Sequence, residues 1–300
     1  MAKSVEDRIT GRRTRRTRNQ AWSVMVCGLL AGLDAAAQPI GIVENPCPSE
    51  SVPSAAFGKL VTELLVEPHT ITAEELERFN DSPELAEVVA ANRLYAGQDW
   101  PGLCRFRSAN ARVLSRSSSP RVVFMGDSIT ENWQLADPEF FDGRVVNRGI
   151  SGQTTAQMLV RFRADVVALR PRIVHILAGT NDVAGNTGPM TTQDFENNIM
   201  SMVDLAQANG ITVVVASIPP AASFTWRPEV KPVPTITALN EWLREYCAQQ
   251  DIRYVDYYSA LAGSAGEFPA ELSNDGVHPN LNGYAIMRRL AEDALSTRRR

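Results

Sequence analysis

Short runs of β-branched and other apolar residues alternate with stretches of helical periodicity along the chain after Pro120. Apolar runs of this length indicate strands that are buried on both faces of a parallel sheet, and helices provide the crossovers between such strands. We therefore predict a doubly wound α/β domain over residues 119–300, with its ligands bound at the carboxyl ends of the strands. The predicted strands are residues 121–125, 144–147, 173–177, 212–217 and 253–256.

The first 37 residues have the order of a secretory signal peptide. Arginines cluster at residues 8–18, an apolar run covers 21–33, and three alanines follow at 35–37. A basic start, a short apolar helix and a small-residue cleavage site direct export. We therefore expect a secreted or periplasmic bacterial protein with no integral membrane segment in the mature chain. A basic arm followed by a small buried helix is the alternative interpretation.

Residues 38–118 are predicted to form a helical extension in front of the sheet domain. Thr72 and Glu75 have the spacing of a capping box at the start of one of its helices. Cys47 and Cys104 in this extension are predicted to form a disulfide, which would contribute about 4 kcal/mol in the chain-entropy account. Cys247 lies in a helical pattern and is predicted to be a small buried hydrophobic residue.

Composition and charge exclude several classes of protein. Hydrophobic residues make up 44% of the chain and charged residues 21%, which excludes a disordered chain. The net charge is −4, and the basic runs are confined to the two ends of the chain. Nucleic-acid binding needs clustered cations to neutralise phosphates, so no nucleic-acid partner is expected.

A serine directly follows the first predicted strand. Ser128 lies in the sequence Gly126-Asp127-Ser128, where we expect the glycine to allow a sharp turn that exposes the hydroxyl at the sheet edge. The surrounding residues lack the glycine pattern of a phosphate-binding loop. A serine that caps the following helix is the simpler interpretation of this motif taken alone.

A carboxylate precedes a histidine by three residues near the end of the chain. At this spacing Asp275 can bond Nδ1 of His278, fix its tautomer and leave Nε2 free to act as a base. An aspartate that caps the last helix beside an unrelated histidine is the alternative. Of the other histidines, His69 is predicted to be an exposed loop residue and His175 a core residue within a strand.

Two further motifs offer hydrogen-bond donors at strand ends. Gly152 precedes a predicted helix, where backbone N–H groups have no partner within the helix. Asn181 follows the third predicted strand and carries a side-chain amide. Acyl-transfer enzymes need donors where the oxyanion develops. A tight turn and an Asx turn are the simpler interpretations of the two motifs.

Together, these motifs resemble the four conserved blocks of the SGNH hydrolase superfamily, the GDSL esterases and lipases. The resemblance covers roughly residues 121–295, and the blocks occur in the family's order. It implies a three-layer α/β/α flavodoxin-like fold with a five-stranded parallel sheet. The residues that carry it are Ser128 in the nucleophile block, Gly152 and Asn181 in the next two blocks, and Asp275 with His278 in the last.

The resemblance also implies a reaction. Ser128 is expected to attack an acyl ester, with His278 as the base and Asp275 orienting it. The oxyanion would be held by the backbone N–H groups of Ser128 and Gly152 and the side chain of Asn181. No metal and no organic cofactor are expected, and the partner would be a small-molecule or carbohydrate ester. The alternatives are a lysophospholipase or thioesterase of the same fold and an inactive sugar-binding protein. A phosphate-handling or redox flavodoxin-like protein is disfavoured, because the sequence lacks a phosphate-binding loop.

The stretch after the fourth predicted strand is rich in proline and carries aromatic residues. Phe224 and Trp226 lie at the sheet edge where a pocket is expected, and Trp133 follows the serine by five residues. If these rings line the acyl pocket, the enzyme prefers short acyl groups, chiefly acetyl. Packing of the rings as a local core beneath the loop is the alternative.

Overall fold

All five strands are parallel and belong to one sheet. In the computed structural model they are β1 (Val122–Gly126), β2 (Val145–Gly149), β3 (Ile173–Leu177), β4 (Thr212–Ala216) and β5 (Arg253–Val255). Their order across the sheet is β2-β1-β3-β4-β5, so the expected parallel sheet is confirmed. The structure describes residues 41–47 and 54–296, without the side chains of 94–96, and the predicted signal peptide lies outside the described residues.

Helices surround this sheet and also occupy the segment before it. They are α1 (Ala55–Val61), α2 (Ala73–Asn80), α3 (Pro83–Gln98), α4 (Arg107–Leu114), α5 (Ser128–Ala136), α6 (Thr155–Asp165), α7 (Thr180–Val183), α8 (Thr192–Ala208), α9 (Pro232–Gln249), α10 (Tyr257–Leu261) and α11 (Leu281–Leu295). A π-helical turn, Thr62–Val66, follows α1, and a 3₁₀ turn, Val167–Leu169, follows α6.

The strands bury both faces, which gives the three-layer arrangement. On β1, Val123 and Met125 belong to an apolar cluster packed by α6, α8 and α9. Val122 and Phe124 belong to a second cluster packed by α5 and α11. Because successive side chains of a strand point to opposite faces, both faces of a central strand must be apolar.

The segment before the sheet is helical, and its described residues from Cys47 onward belong to one compact unit with the sheet. The capping box of Thr72 and Glu75 is present at the start of α2. The disulfide between Cys47 and Cys104 is also present, as predicted. Cys247 is buried on α9 as a free thiol. Within residues 41–47 and 54–296, no helix is long and apolar enough to cross a membrane.

Candidate active site

Ser128 lies at the carboxyl end of β1, an interior strand of the sheet. β1 ends at Gly126, and α5 begins at Ser128, with the side chain of Asp127 capping the helix by accepting the Ile129 N–H at 2.9 Å. Gly126 does not have a positive φ. A Cβ there would lie 2.7 Å from Cβ of Thr130 and 2.9 Å from the carbonyl oxygen of Leu177. Close approach of neighbouring groups therefore requires this glycine, rather than the sharp turn expected from the sequence.

His278 and Asp275 lie on the loop before α11 and reach the same strand end. Nε2 of His278 is 2.9 Å from Oγ of Ser128, and Nδ1 is 2.6 Å from Oδ2 of Asp275. The second carboxylate oxygen of Asp275 accepts the backbone N–H groups of Val277 and His278 at 2.9 and 2.8 Å. A hydroxyl, an imidazole and a carboxylate thus form one continuous hydrogen-bonded chain.

The electrostatics of this chain favour an ionised carboxylate beside a basic imidazole. Burial disfavours the Asp275 carboxylate, but the charge of His278 and its two hydrogen bonds outweigh this and lower the pKa of Asp275 to about 2. Burial also disfavours the His278 cation, but Asp275 outweighs that effect and raises the pKa of His278 above its ordinary value. The imidazole can therefore accept a proton from Ser128 and keep it close to the carboxylate.

The backbone N–H groups of Ser128, at the first turn of α5, and of Gly152, in the loop after β2, have no hydrogen-bond acceptor among the described residues. Gly152 has a φ of +79°, in the left-handed region that favours glycine. Backbone N–H groups without an acceptor, such as that of Ser128 at the start of α5, are suited to bind a negatively charged oxygen.

Asn181 is buried on α7, next to these donors, but its amide already has acceptors. Nδ2 lies 3.2 Å from Oδ2 of Asp127 and 3.1 Å from the carbonyl oxygen of Gln153. Its Oδ1 accepts a hydrogen bond of 2.7 Å from Nδ2 of Asn186. The amide is thus fixed by three partners, and it must share or exchange one of them to bind a ligand.

Comparison with known proteins identifies the family. Residues 124–286 match the sequence profile of the GDSL-like lipase/acylhydrolase family, over more than half of the chain. The chain belongs to this family. It is therefore a hydrolase that acts on esters, and the resemblance seen in the sequence is confirmed.

Relatives and solved structures agree with this assignment. Esterase TesA of Pseudomonas aeruginosa is 29% identical over 200 residues, which span 62% of this chain and 90% of the relative. An acetylxylan esterase of Geobacillus stearothermophilus is 27% identical over 49% of this chain and 69% of the relative. A GDSL-like lipase from Bacteroides thetaiotaomicron is 41% identical, with a TM-score of 0.62, over 66% of this chain and 98% of that chain.

The sequence did not single out three residues that surround the candidate site. Gln153 and Asn186 hold the side chain of Asn181 through hydrogen bonds of 3.1 and 2.7 Å. Asp127 is fully buried, and burial raises its pKa to about 7. The position of Gln153 beside Gly152 and of Asp127 beside Ser128 is a local signal for them. Asn186 had no such signal, because only the fold brings its side chain to Asn181 and to the carbonyl oxygen of Gly152, 3.3 Å away.

Of the three aromatic residues expected to line the pocket, two are in the core. Trp133 has none of its surface exposed and packs against Phe124, with ring centroids 5.5 Å apart. Phe224 is also fully buried. For these two rings the alternative of packing as core is confirmed, because they fill the apolar layers between the sheet and its helices. Trp226 is 40% exposed and donates from Nε1 to Oδ1 of Asn186 at 3.1 Å, which places its ring beside the Gly152 loop.

The remaining histidines do not join the site. His175 is fully buried in β3, where Nε2 bonds the hydroxyl of Tyr257 at 2.9 Å, as expected for a core residue. His69 is half-buried rather than exposed, because it packs beside Asn274: its backbone N–H donates to Oδ1 of Asn274 at 3.3 Å, and its ring Nδ1 lies 3.2 Å from Nδ2 of that residue. Across the described ranges, no three His, Cys, Asp or Glu side chains lie together as metal ligands do.

Proposed function

We propose that the enzyme hydrolyses short-chain acyl esters, chiefly acetyl esters, through a covalent ester on Ser128. The observation that carries this proposal is the unbroken chain of hydrogen bonds from Ser128 Oγ through His278 to Asp275, at 2.9 and 2.6 Å. A binding protein has no need for a hydroxyl, an imidazole and an ionised carboxylate in this order.

In the first half of the proposed reaction, Nε2 of His278 takes the proton of Ser128 as Oγ attacks the ester carbonyl carbon. The C–O bond to the alcohol then breaks, and His278 gives the proton to the leaving alcohol. Asp275 orients the imidazole and stabilises its cation throughout. In the second half, His278 takes a proton from water, hydroxide attacks the acyl-serine, and the returning proton restores the Ser128 hydroxyl as the acid leaves.

The oxyanion of both tetrahedral intermediates is assigned to three donors. The N–H groups of Ser128 and Gly152 are the primary pair, since neither has another acceptor in the described residues. Asn181 is the third donor, and it gives up or shares its 3.2 Å contact with Asp127 when the charge develops. Removal of one such donor typically costs about 3–4 kcal/mol of transition-state stabilisation.

The preference for a small acyl group is supported by Trp226 and its surroundings. Its ring lies at the Gly152 loop and is held there through Asn186. The stretch before it contains the pair Pro219-Pro220, which makes the loop stiff. A stiff aromatic wall favours a small preformed pocket over a long acyl channel. The likeness to an acetylxylan esterase points in the same direction, at 27% identity.

A series of p-nitrophenyl esters from acetyl to octanoyl, run beside acetylated xylan, tests this proposal. We expect kcat/KM to fall steeply with chain length and Ser128→Ala to abolish turnover. A fluorophosphonate probe should label the wild-type enzyme and not this variant. A preference for octanoyl or longer esters would indicate a lysophospholipase or thioesterase instead. Absence of both turnover and labelling would indicate an inactive sugar-binding protein.

Export is a further part of the proposal. The basic and apolar order of residues 8–37 supports a signal peptide, and the Cys47–Cys104 disulfide is of a kind that forms and persists in oxidising compartments. Mass analysis of the mature N-terminus tests this. Cleavage after residue 37 is the expected result, and a chain that retains its first residues in cell extracts contradicts it.

A further inference from the structure

We propose that residues 99–106, which lie before the family domain, position the loop that carries Gly152 and thereby set the geometry of the oxyanion site. This inference rests on the proposed function for its catalytic meaning. The family profile begins at residue 124, so the positioning segment belongs to the helical extension of this chain. Two separate connections join it to the loop, one on each side of Gly152.

The first connection runs through Gln153, which is 4% exposed. Its side-chain Nε2 donates to the carbonyl oxygen of Pro101 at 2.8 Å, and its Oε1 accepts from Nε of Arg161 at 2.6 Å. Its backbone oxygen accepts from Nδ2 of Asn181 at 3.1 Å. Gln153 therefore ties the residue after Gly152, and the amide of Asn181, to the backbone of the extension.

The second connection runs through an ion pair. Nη2 of Arg105 lies 2.6 Å from Oε1 of Glu131, with both side chains about four-fifths buried. The other oxygen of Glu131 accepts the backbone N–H of Ser151 at 2.8 Å and its hydroxyl at 2.6 Å. Arg105 thus fixes the Glu131 carboxylate, and that carboxylate binds Ser151, the residue before Gly152.

Gly152 depends on these neighbours for its orientation. A Cβ on Gly152 would meet a single atom within 4 Å, Nδ2 of Asn186 at 3.9 Å, so side chains do not pack closely around this residue. Asn186 holds its carbonyl oxygen at 3.3 Å, and the direction of its N–H, at a φ of +79°, also depends on how Ser151 and Gln153 are held. A preorganised donor is effective only when it stands at the position of the developing charge, and a small displacement weakens it.

The positioning segment is itself held firmly. The Asp99 carboxylate accepts the N–H groups of Leu103 and Cys104 at 2.8 and 2.7 Å, which closes the turn. Cys104 is joined to Cys47 by the disulfide. The ring of Phe106 lies under the guanidinium groups of Arg148 and Arg105, at 4.7 and 5.5 Å from its centroid. Because residues 99–106 are held in this way, their contacts can fix the position of the loop that carries Gly152.

The test removes the ion pair and leaves the fold intact. Arg105→Met keeps an unbranched side chain but removes the charge, and Arg107→Met is the matched control, since Arg107 is exposed at the start of α4. We expect Arg105→Met to lower kcat for p-nitrophenyl acetate about tenfold, with KM changed less than twofold, because a misplaced donor affects the transition state more than the substrate. Arg105→Lys should recover part of the loss, and Arg107→Met should match wild type.

Hydrogen–deuterium exchange of the peptide that spans residues 149–154 gives a readout that does not need activity. The amide of Ser151 is protected by Glu131, so it should exchange faster in Arg105→Met than in Arg107→Met or wild type. The inference would be overturned if Arg105→Met left both kcat and the exchange of the Ser151 amide unchanged, or if it lowered thermal stability alone. The Arg105–Glu131 ion pair would then be a structural contact without a role in positioning the loop. A wild-type enzyme without turnover or Ser128 labelling would instead overturn the proposed function, and the exchange rates would still decide whether Arg105 controls the loop.

Discussion

Nε2 of His278 lies 2.9 Å from Oγ of Ser128, although 150 residues separate them along the chain. The distance is that of a formed hydrogen bond, so the proposed base contacts the proposed nucleophile before any substrate binds. The pairing arises because the loop before α11 returns to the carboxyl end of β1.

The pH dependence of kcat/KM should show an acidic limb set by His278. Its pKa is raised by Asp275 against the effect of burial, so activity falls as the pH drops through this raised value and the base becomes protonated. In Asp275→Asn the raising charge is lost, and the limb should move to lower pH while kcat falls by about 10⁴-fold. An acidic limb that stays in place would contradict the pairing of these two residues.

The contribution of Asn181 can be separated from that of the backbone donors. Asn181→Ala removes an amide whose hydrogens contact Asp127 and Gln153 in the free enzyme. If the amide turns to the oxyanion, kcat should fall about 100-fold with little change in KM. Asn198→Ala, on α8 at the Thr155 hydroxyl, serves as the control because it touches neither Ser128 nor Gly152. Equal kcat for the two variants would assign the oxyanion to Ser128 and Gly152 alone.

Chain-length preference should depend on the ring of Trp226 rather than on its hydrogen bond. Trp226→Ala opens the pocket wall, so the ratio of octanoyl to acetyl turnover should rise about tenfold, the order of a few buried methylene groups. Trp226→Phe keeps a ring but loses the bond to Asn186, and it should retain most of the preference. Val160→Ala, at an exposed position on α6, is the surface control. A ratio that is the same in all three variants would place the acyl pocket elsewhere.

Stability should fall in mild acid because of His175. Burial lowers its pKa to about 3, far below the unfolded value near 6.5. Between these values the unfolded chain binds the proton and the folded protein does not, so this contribution is complete above about pH 6.5 and is lost as the pH falls towards 3. Each unit of pKa difference corresponds to about 1.4 kcal/mol. Urea unfolding should therefore show that the free energy of unfolding falls more between pH 7 and pH 5 for wild type than for His175→Gln. Equal decreases in the two proteins would contradict this role of His175.

Removal of the disulfide should destabilise the protein without changing its fold. The bridge joins residues 57 apart, and the chain-entropy account gives about 4 kcal/mol for a loop of this size. The double variant Cys47→Ser/Cys104→Ser should unfold at a lower urea concentration than wild type, and its midpoint should not change when a reducing agent is added. The midpoint of reduced wild type should approach that of the double variant. Identical midpoints for oxidised and reduced wild type would show that the bridge adds nothing.

Much of the architecture could be read from periodicity. The third strand was predicted with its observed bounds, Ile173–Leu177, and the other four were located to within one or two residues. A strand buried on both faces must be apolar throughout, and this requirement is visible in the amino-acid order. The polar motifs that follow these strands were located for the same reason, since parallel strands present their carboxyl ends at one edge of the sheet.

Other features required the folded chain. Trp133, Phe224 and Trp226 look alike in sequence, yet two are fully buried and one is 40% exposed, because burial depends on which distant elements pack against each ring. The reason for Gly126 was also hidden, since a Cβ there would meet both the Thr130 side chain on α5 and the Leu177 carbonyl oxygen on β3. Secondary structure is largely set by residues that are close in sequence. The contacts of Gln153 with Pro101 and of Arg105 with Glu131, in contrast, join residues that are 52 and 26 positions apart. Such contacts form only when long-range packing brings the segments together. For this reason only the tertiary structure connects the helical extension to the loop of Gly152.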